Sequence, residues 1–144
     1  LIMETEELNT MLNLTKRDMD VLNILWESDE PKTATMISKS GDGLTMNTTQ
    51  AVLRKLLKNN LIEIADIVYS GTVLTRSYKS VICQEEFLLQ KLVHQYKSMS
   101  KKVSKAAILA ILLDSEEDPE RLDKDLKEIK EFIKNYRKKR FAGN

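Results

Sequence analysis

Apolar residues fall at helical spacing over most of the chain and alternate over one short stretch. Thr15 is placed to cap a helix, and Asp18, three residues on, resembles the return half of a capping box. From there Met19, Val21, Leu22, Ile24, Leu25 and Trp26 form an apolar face broad enough for a helix central to a core. The acidic run Glu27-Ser28-Asp29-Glu30-Pro31 ends it, because proline disfavours helix in the residue before it. A short second helix follows, with Thr33 as cap and Ala34, Met36 and Ile37 inward, and stops at the turn Ser40-Gly41-Asp42-Gly43. A third begins with Thr45 as cap and runs to Lys58; Val52, Leu53, Leu56 and Leu57 share one face, while Met46, Asn47, Thr49, Gln50 and Arg54 face elsewhere.

The stretch Leu61 to Tyr69 then alternates and is rich in β-branched residues, Ser70-Gly71 turns, and Val73 to Tyr78 returns as a second strand. Three helices followed by a hairpin within about seventy residues is the order of a winged helix-turn-helix. After Val81 the pattern is helical again. Glu86 to Met99 carries Phe87, Leu88, Leu92, Val93 and Tyr96 on one side, and Val103 to Leu113 is strongly apolar. Asp118-Pro119-Glu120 starts a last helix, in which Leu122, Leu126, Ile129, Ile133 and Tyr136 recur at the spacing of a coiled-coil seam. The expected fold is mainly α with a small β-hairpin: a winged-helix DNA-binding domain over residues 13–80 and a helical dimerisation domain over 81–140.

Composition agrees. The chain has 144 residues, 42% hydrophobic and 31% charged, with four Gly and two Pro, as suits a mostly helical globular protein. The longest apolar stretch, Ala106 to Leu113, is too short to span a bilayer, and Leu1 to Glu7 lacks the basic segment and apolar core of a secretory signal. A cytoplasmic location without membrane insertion is expected. The single cysteine, Cys83, can form neither an internal disulfide nor a cysteine-rich metal site, and a lone buried thiol is the plainer reading over a redox sensor.

The net charge of +1 conceals an asymmetry. Residues 1–30 hold two basic and eight acidic side chains, residues 31–80 seven and three, and residues 81–144 fourteen and eleven. The middle segment is the basic one, and local charge governs phosphate contact.

A helix that enters the major groove needs donors and acceptors on its outward side and no carboxylates to repel phosphate. Residues 45–58 meet this: Asn47 and Gln50 suit adenine, Arg54 suits guanine or phosphate, and Thr48 or Thr49 suits a phosphate or a thymine methyl. Lys55 and Lys58 suit phosphate, and Arg76 on the returning strand suits a wing contact. Thr45 is first of all a cap. The dimer is expected to use Phe87, Leu88, Leu92, Leu122, Leu126, Ile129, Ile133 and Tyr136. The cations from Lys134 to Arg140 complement the helix dipole as well as an anionic partner. His94 lacks metal-binding companions, and no phosphate-binding glycine loop or catalytic triad can be assembled, so neither cofactor nor catalysis is expected. The competing reading is a winged helix used for protein–protein contact, which the low net charge favours and the basic middle segment opposes.

At these residues the sequence resembles the penicillinase repressor family, with copper-responsive repressors as relatives. The resemblance lies in Leu14-Thr15-x-x-Asp18-Met19-x-Val21-Leu22-x-Ile24-Leu25-Trp26, in Thr33-Ala34-x-x-Ile37, in Thr48-x-x-x-Val52-Leu53-x-x-Leu56-x-x-x-x-Leu61-Ile62, and in Tyr78 at the end of the wing. It implies a homodimer joined through C-terminal helices that binds a palindromic operator in double-stranded DNA and represses genes, often for β-lactam resistance, with a membrane-bound sensor upstream. In the antibiotic-responsive members an Asn-Phe bond is cleaved on induction; here that stretch reads Ala110-Ile111-Leu112-Leu113. The paired Cys-x-Cys motifs of the copper-responsive members are absent, and Asn59-Asn60 stands where Lys-Gly is common.

Overall fold

The computed structural model describes residues 13–141. Their order is α1 (Lys16–Glu27), β1 (Lys32–Thr33), α2 (Ala34–Ser40), α3 (Met46–Lys58), β2 (Ile62–Ser70), β3 (Val73–Ser80), α4 (Gln84–Met99), α5 (Lys105–Asp114) and α6 (Pro119–Phe141). This is a winged helix-turn-helix followed by three helices. The chain divides into two compact units, one ending at Lys97 and the other beginning at Ser98.

In the first unit α1 starts on the capping box expected from Thr15 and Asp18. The Asp18 amide donates to Thr15 Oγ1 at 3.2 Å and the Thr15 amide to Asp18 Oδ2 at 2.8 Å. Val21, Leu22 and Leu25 of α1, Ile37 of α2 and Val52, Leu53 and Leu56 of α3 form one buried cluster with Leu61, Ile62, Tyr78, Ile82 and Phe87. Phe87 is 0% exposed, so it closes this core and is not available to a dimer seam, contrary to the sequence expectation. It carries the start of α4 into the first unit. The first compact unit thus includes α4 as far as Lys97.

Trp26 lies at the edge of the same cluster. Its indole N–H donates to the Ile82 carbonyl at 2.8 Å and to Ser80 Oγ at 3.0 Å, and its ring packs 5.2 Å from that of Phe87. A polar tip satisfied beside an apolar body is the usual way to bury tryptophan.

The sheet has the order β1-β3-β2, all antiparallel. The sequence reading missed β1, because two residues carry no alternation. Lys32 pairs with Tyr78 and Thr33 with Ser77, and Thr33 Oγ1 also accepts the Met36 amide at 3.3 Å as the cap of α2. A bulge at Ala65 shifts the β2 register between Ile64 and Asp66. Beyond it Ile67 pairs with Arg76 and Tyr69 with Leu74. Cys83, expected to be buried, is exposed just before α4, where its carbonyl accepts the Phe87 amide at 3.0 Å. That place at a helix entrance, outside the core, overturns the buried-thiol reading.

In the second unit Ser104 caps α5, its Oγ accepting the Ala107 amide at 3.1 Å. Asp118 stands before α6, its Oδ1 accepting the Glu120 amide at 3.0 Å, with Pro119 in the first helical position as expected. Neither α5 nor α6 contains a buried residue. Among the described residues no helix is long and apolar enough to cross a membrane.

Candidate nucleic-acid interface

The turn between α2 and α3 decides how α3 is presented. The Gly41 amide closes α2 on the Ile37 carbonyl at 3.1 Å, and a Cβ on Gly41 would lie 2.1 Å from Leu44 Cδ1, so a side chain there would force the buried Leu44 side chain to move. Gly43 has φ +70°, a left-handed conformation that glycine adopts without strain. Arg17 of α1 holds the turn from outside: its Nη1 donates to the Asp42 carbonyl at 2.9 Å and pairs with Asp20 at 3.3 Å. Ser38 Oγ donates to the Leu44 carbonyl at 2.7 Å. Thr45 then caps α3, accepting the Thr48 amide at 3.1 Å, with the Thr48 hydroxyl 3.0 Å from its own.

Along α3, Asn47, Ala51, Arg54 and Lys58 are all exposed, and Gln50 is half-exposed beside them. Spacings of four, three and four residues place the first four on one helix face. The helix contains no acidic residue. The result is a row with an amide end, a small centre and a cationic C-terminal end. Sequence reasoning passed over Ala51, which puts only a methyl group between Asn47 and Arg54 on this face.

Two expected site residues sit elsewhere. Thr49 is 0% exposed, in the core side of α3, and its Oγ1 has no hydrogen-bond partner, so it cannot touch DNA while the domain is folded. Lys55 is half-exposed, and its Nζ is paired with Asp18 of α1, whose side chain is almost wholly buried. Its charge is matched within the domain. Arg76 is exposed on β3, across from Ile67 on the same side of the hairpin as Tyr69 and Leu74. Lys79 and Glu63 pair at 3.2 Å on the other side.

Of the expected dimerisation residues, Leu88 and Leu92 are exposed on α4, while Leu126, Ile133 and Tyr136 are exposed and Leu122 and Ile129 half-exposed along α6. Phe132 and Tyr136 rings lie 5.7 Å apart, and Arg140 stands 5.5 Å over the Tyr136 ring. Among the described residues no group of three or more His, Cys, Asp or Glu is placed to hold a metal ion.

No family model matches the chain, and no curated protein matches it. Among solved structures, it is similar to the homodimeric winged helix-turn-helix DNA-binding domain of a Mycobacterium bovis protein described as a possible ArsR-family transcriptional regulator. That likeness has TM-score 0.42 and 19% identity, over 67% of this chain and 80% of the other. It is also similar to the Giardia lamblia Hop2–Mnd1 complex, with TM-score 0.37 and 16% identity, over 86% of this chain and 79% of that one. At such scores and identities the winged-helix fold of this chain stands on its own element order and sheet register.

Proposed function

We propose that this chain is a sequence-specific DNA-binding transcription regulator, acting as a homodimeric repressor of the penicillinase-repressor type on a palindromic operator. The observation that carries the reading is the solvent-facing row Asn47, Gln50, Ala51, Arg54 and Lys58 on an acid-free helix held out by a tight two-glycine turn. Asn47 and Gln50 are suited to bidentate pairing with adenine, Arg54 to guanine, and Lys58 and Arg76 to phosphate. The Thr45 and Thr48 hydroxyls are engaged with each other at the helix cap, which leaves these residues a supporting role at the groove edge.

Dimerisation is assigned to the seam Leu122, Leu126, Ile129, Ile133 and Tyr136 together with the exposed Leu88 and Leu92. An upstream membrane-bound sensor belongs to the same proposal. Because residues 110–113 lack an Asn-Phe bond, release by cleavage at that point does not.

The test is a titration of the protein against duplex from its own upstream region and against random duplex, at several salt concentrations. Gln50→Ala and Arg54→Ala are each expected to cost about 1–3 kcal/mol on operator and far less on random duplex. Equal losses on both duplexes would remove the base-reading role.

A further inference from the structure

The end of α6 carries charge that the seam does not use. After Glu131 the helix has five cations, Lys134, Arg137, Lys138, Lys139 and Arg140, and no acid. Lys130, Lys134 and Arg137 each follow a seam residue, Ile129, Ile133 and Tyr136, by one position, which is about 100° round the helix. Lys138 lies beside them. All four are exposed. Earlier in α6 the lysines are matched, Lys124 with Glu128 at 3.9 Å and Lys127 with Asp123 at 2.9 Å, whereas these four have no carboxylate in salt-bridge reach among the described residues.

The helix dipole does not account for this stripe, because its effect fades within the last turn and the stripe begins three turns from the end. Lys130 with Lys134 and Lys134 with Lys138 are like-charge pairs four residues apart, which oppose the helix. An external polyanion would relieve them.

We propose that Lys130, Lys134, Arg137 and Lys138 form a second, sequence-blind surface for the phosphate backbone of double-stranded DNA. The inference rests on the dimer reading in one respect: with the seam packed against a second copy, Lys134 and Lys138 lie away from it, while Lys130 and Arg137 flank it. Duplex is favoured over an anionic bilayer by the seam's other flank, where Asp125 and Glu128 precede Leu126 and Ile129 and would be pressed against lipid phosphates if the helix lay flat on a membrane.

The experiment uses the full chain and the triple variant Lys134→Gln, Arg137→Gln, Lys138→Gln, in which glutamine keeps helix propensity. Circular dichroism and sedimentation serve as controls. On random duplex the slope of log K against log salt is expected to flatten by roughly 3, or by about 5 if both protomers engage, at about 0.9 for each phosphate no longer neutralised. An unchanged slope overturns the proposal. So does wild-type protein that sediments with phosphatidylcholine vesicles containing phosphatidylserine, loses this in the triple variant, and keeps its DNA slope. A wild type with no operator preference whose random-duplex slope still flattens in the variant overturns the operator reading and leaves the stripe standing. A wild type that binds no duplex overturns both.

Discussion

The ammonium group of Lys55, on the helix assigned to DNA, is ion-paired with the carboxylate of Asp18, a residue 2% exposed that also accepts the Thr15 amide at 2.8 Å. One buried carboxylate thus serves both the start of α1 and the middle of α3. It ties the two helices together at a point beside their shared apolar core.

This relationship sets the first expectation. Removing either partner leaves the other without its match, and Lys55→Met or Asp18→Ala should each lower stability by about 1–3 kcal/mol. The double variant should be less destabilised than the sum, by about 1 kcal/mol or more. Urea denaturation of the four proteins measures this. A coupling energy of zero would show that the pair holds nothing together. Because Asp18 already neutralises Lys55, Lys55→Met should also alter the salt slope of DNA binding less than Lys58→Ala does.

Ala51 supplies a sharper test of the α3 face. Glutamate at an exposed helix position has nearly alanine's helix propensity, so Ala51→Glu should leave stability within about 0.5 kcal/mol. A carboxylate between Asn47 and Arg54 would face phosphate and base acceptors, and operator affinity should fall at least about tenfold. If a folded Ala51→Glu protein binds operator as well as wild type, α3 does not enter the groove by this face.

The helices and hairpin were legible in the sequence because each rests on local chemistry: the Thr15–Asp18 box, the caps Thr33 and Thr45, the alternation after Leu61. What was hidden depends on how elements meet. Thr49 reads as polar and groove-facing from its type, yet it lies three residues before Val52 and four before Leu53 on the buried side. Lys55 looks free until folding brings Asp18, 37 residues away in sequence, to its Nζ. Asn60 shows the converse. Its left-handed φ of 58° lets the Asn60 amide reach the Leu57 carbonyl and the Leu61 amide reach that of Leu56, so asparagine ends α3 where glycine is the common residue.

Trp26 separates packing from hydrogen bonding. Trp26→Ala removes the ring that covers Phe87 and is expected to cost about 3–5 kcal/mol, enough to unfold a small domain. Trp26→Phe keeps an aromatic contact and removes only the donor to the Ile82 carbonyl and Ser80 Oγ, so about 1–2 kcal/mol is expected. Thermal unfolding followed by circular dichroism ranks the two. Equal losses would mean that the indole N–H, and not the ring, holds α1 to the chain entering α4.

The second unit sets the last expectation, which concerns assembly. Neither α5 nor α6 buries a residue, and Ile111, Leu112, Leu126, Phe132, Ile133 and Tyr136 are all exposed. Soluble monomers seldom leave contiguous apolar patches of more than a few hundred Å² in water. A twofold pair that hides the α6 seam would bring two winged-helix units into one particle. Leu126→Asp combined with Ile133→Asp changes only exposed positions, so the winged-helix unit, whose core lies in residues 21–87, should stay folded. The protein should become monomeric by sedimentation velocity, and its operator affinity should fall by about 10²-fold or more, because the second half-site no longer binds as a linked event. A double variant that remains dimeric, or a monomer that binds operator as tightly as wild type, would place the subunit contact elsewhere, with the exposed Leu88 and Leu92 face of α4 the next surface to alter.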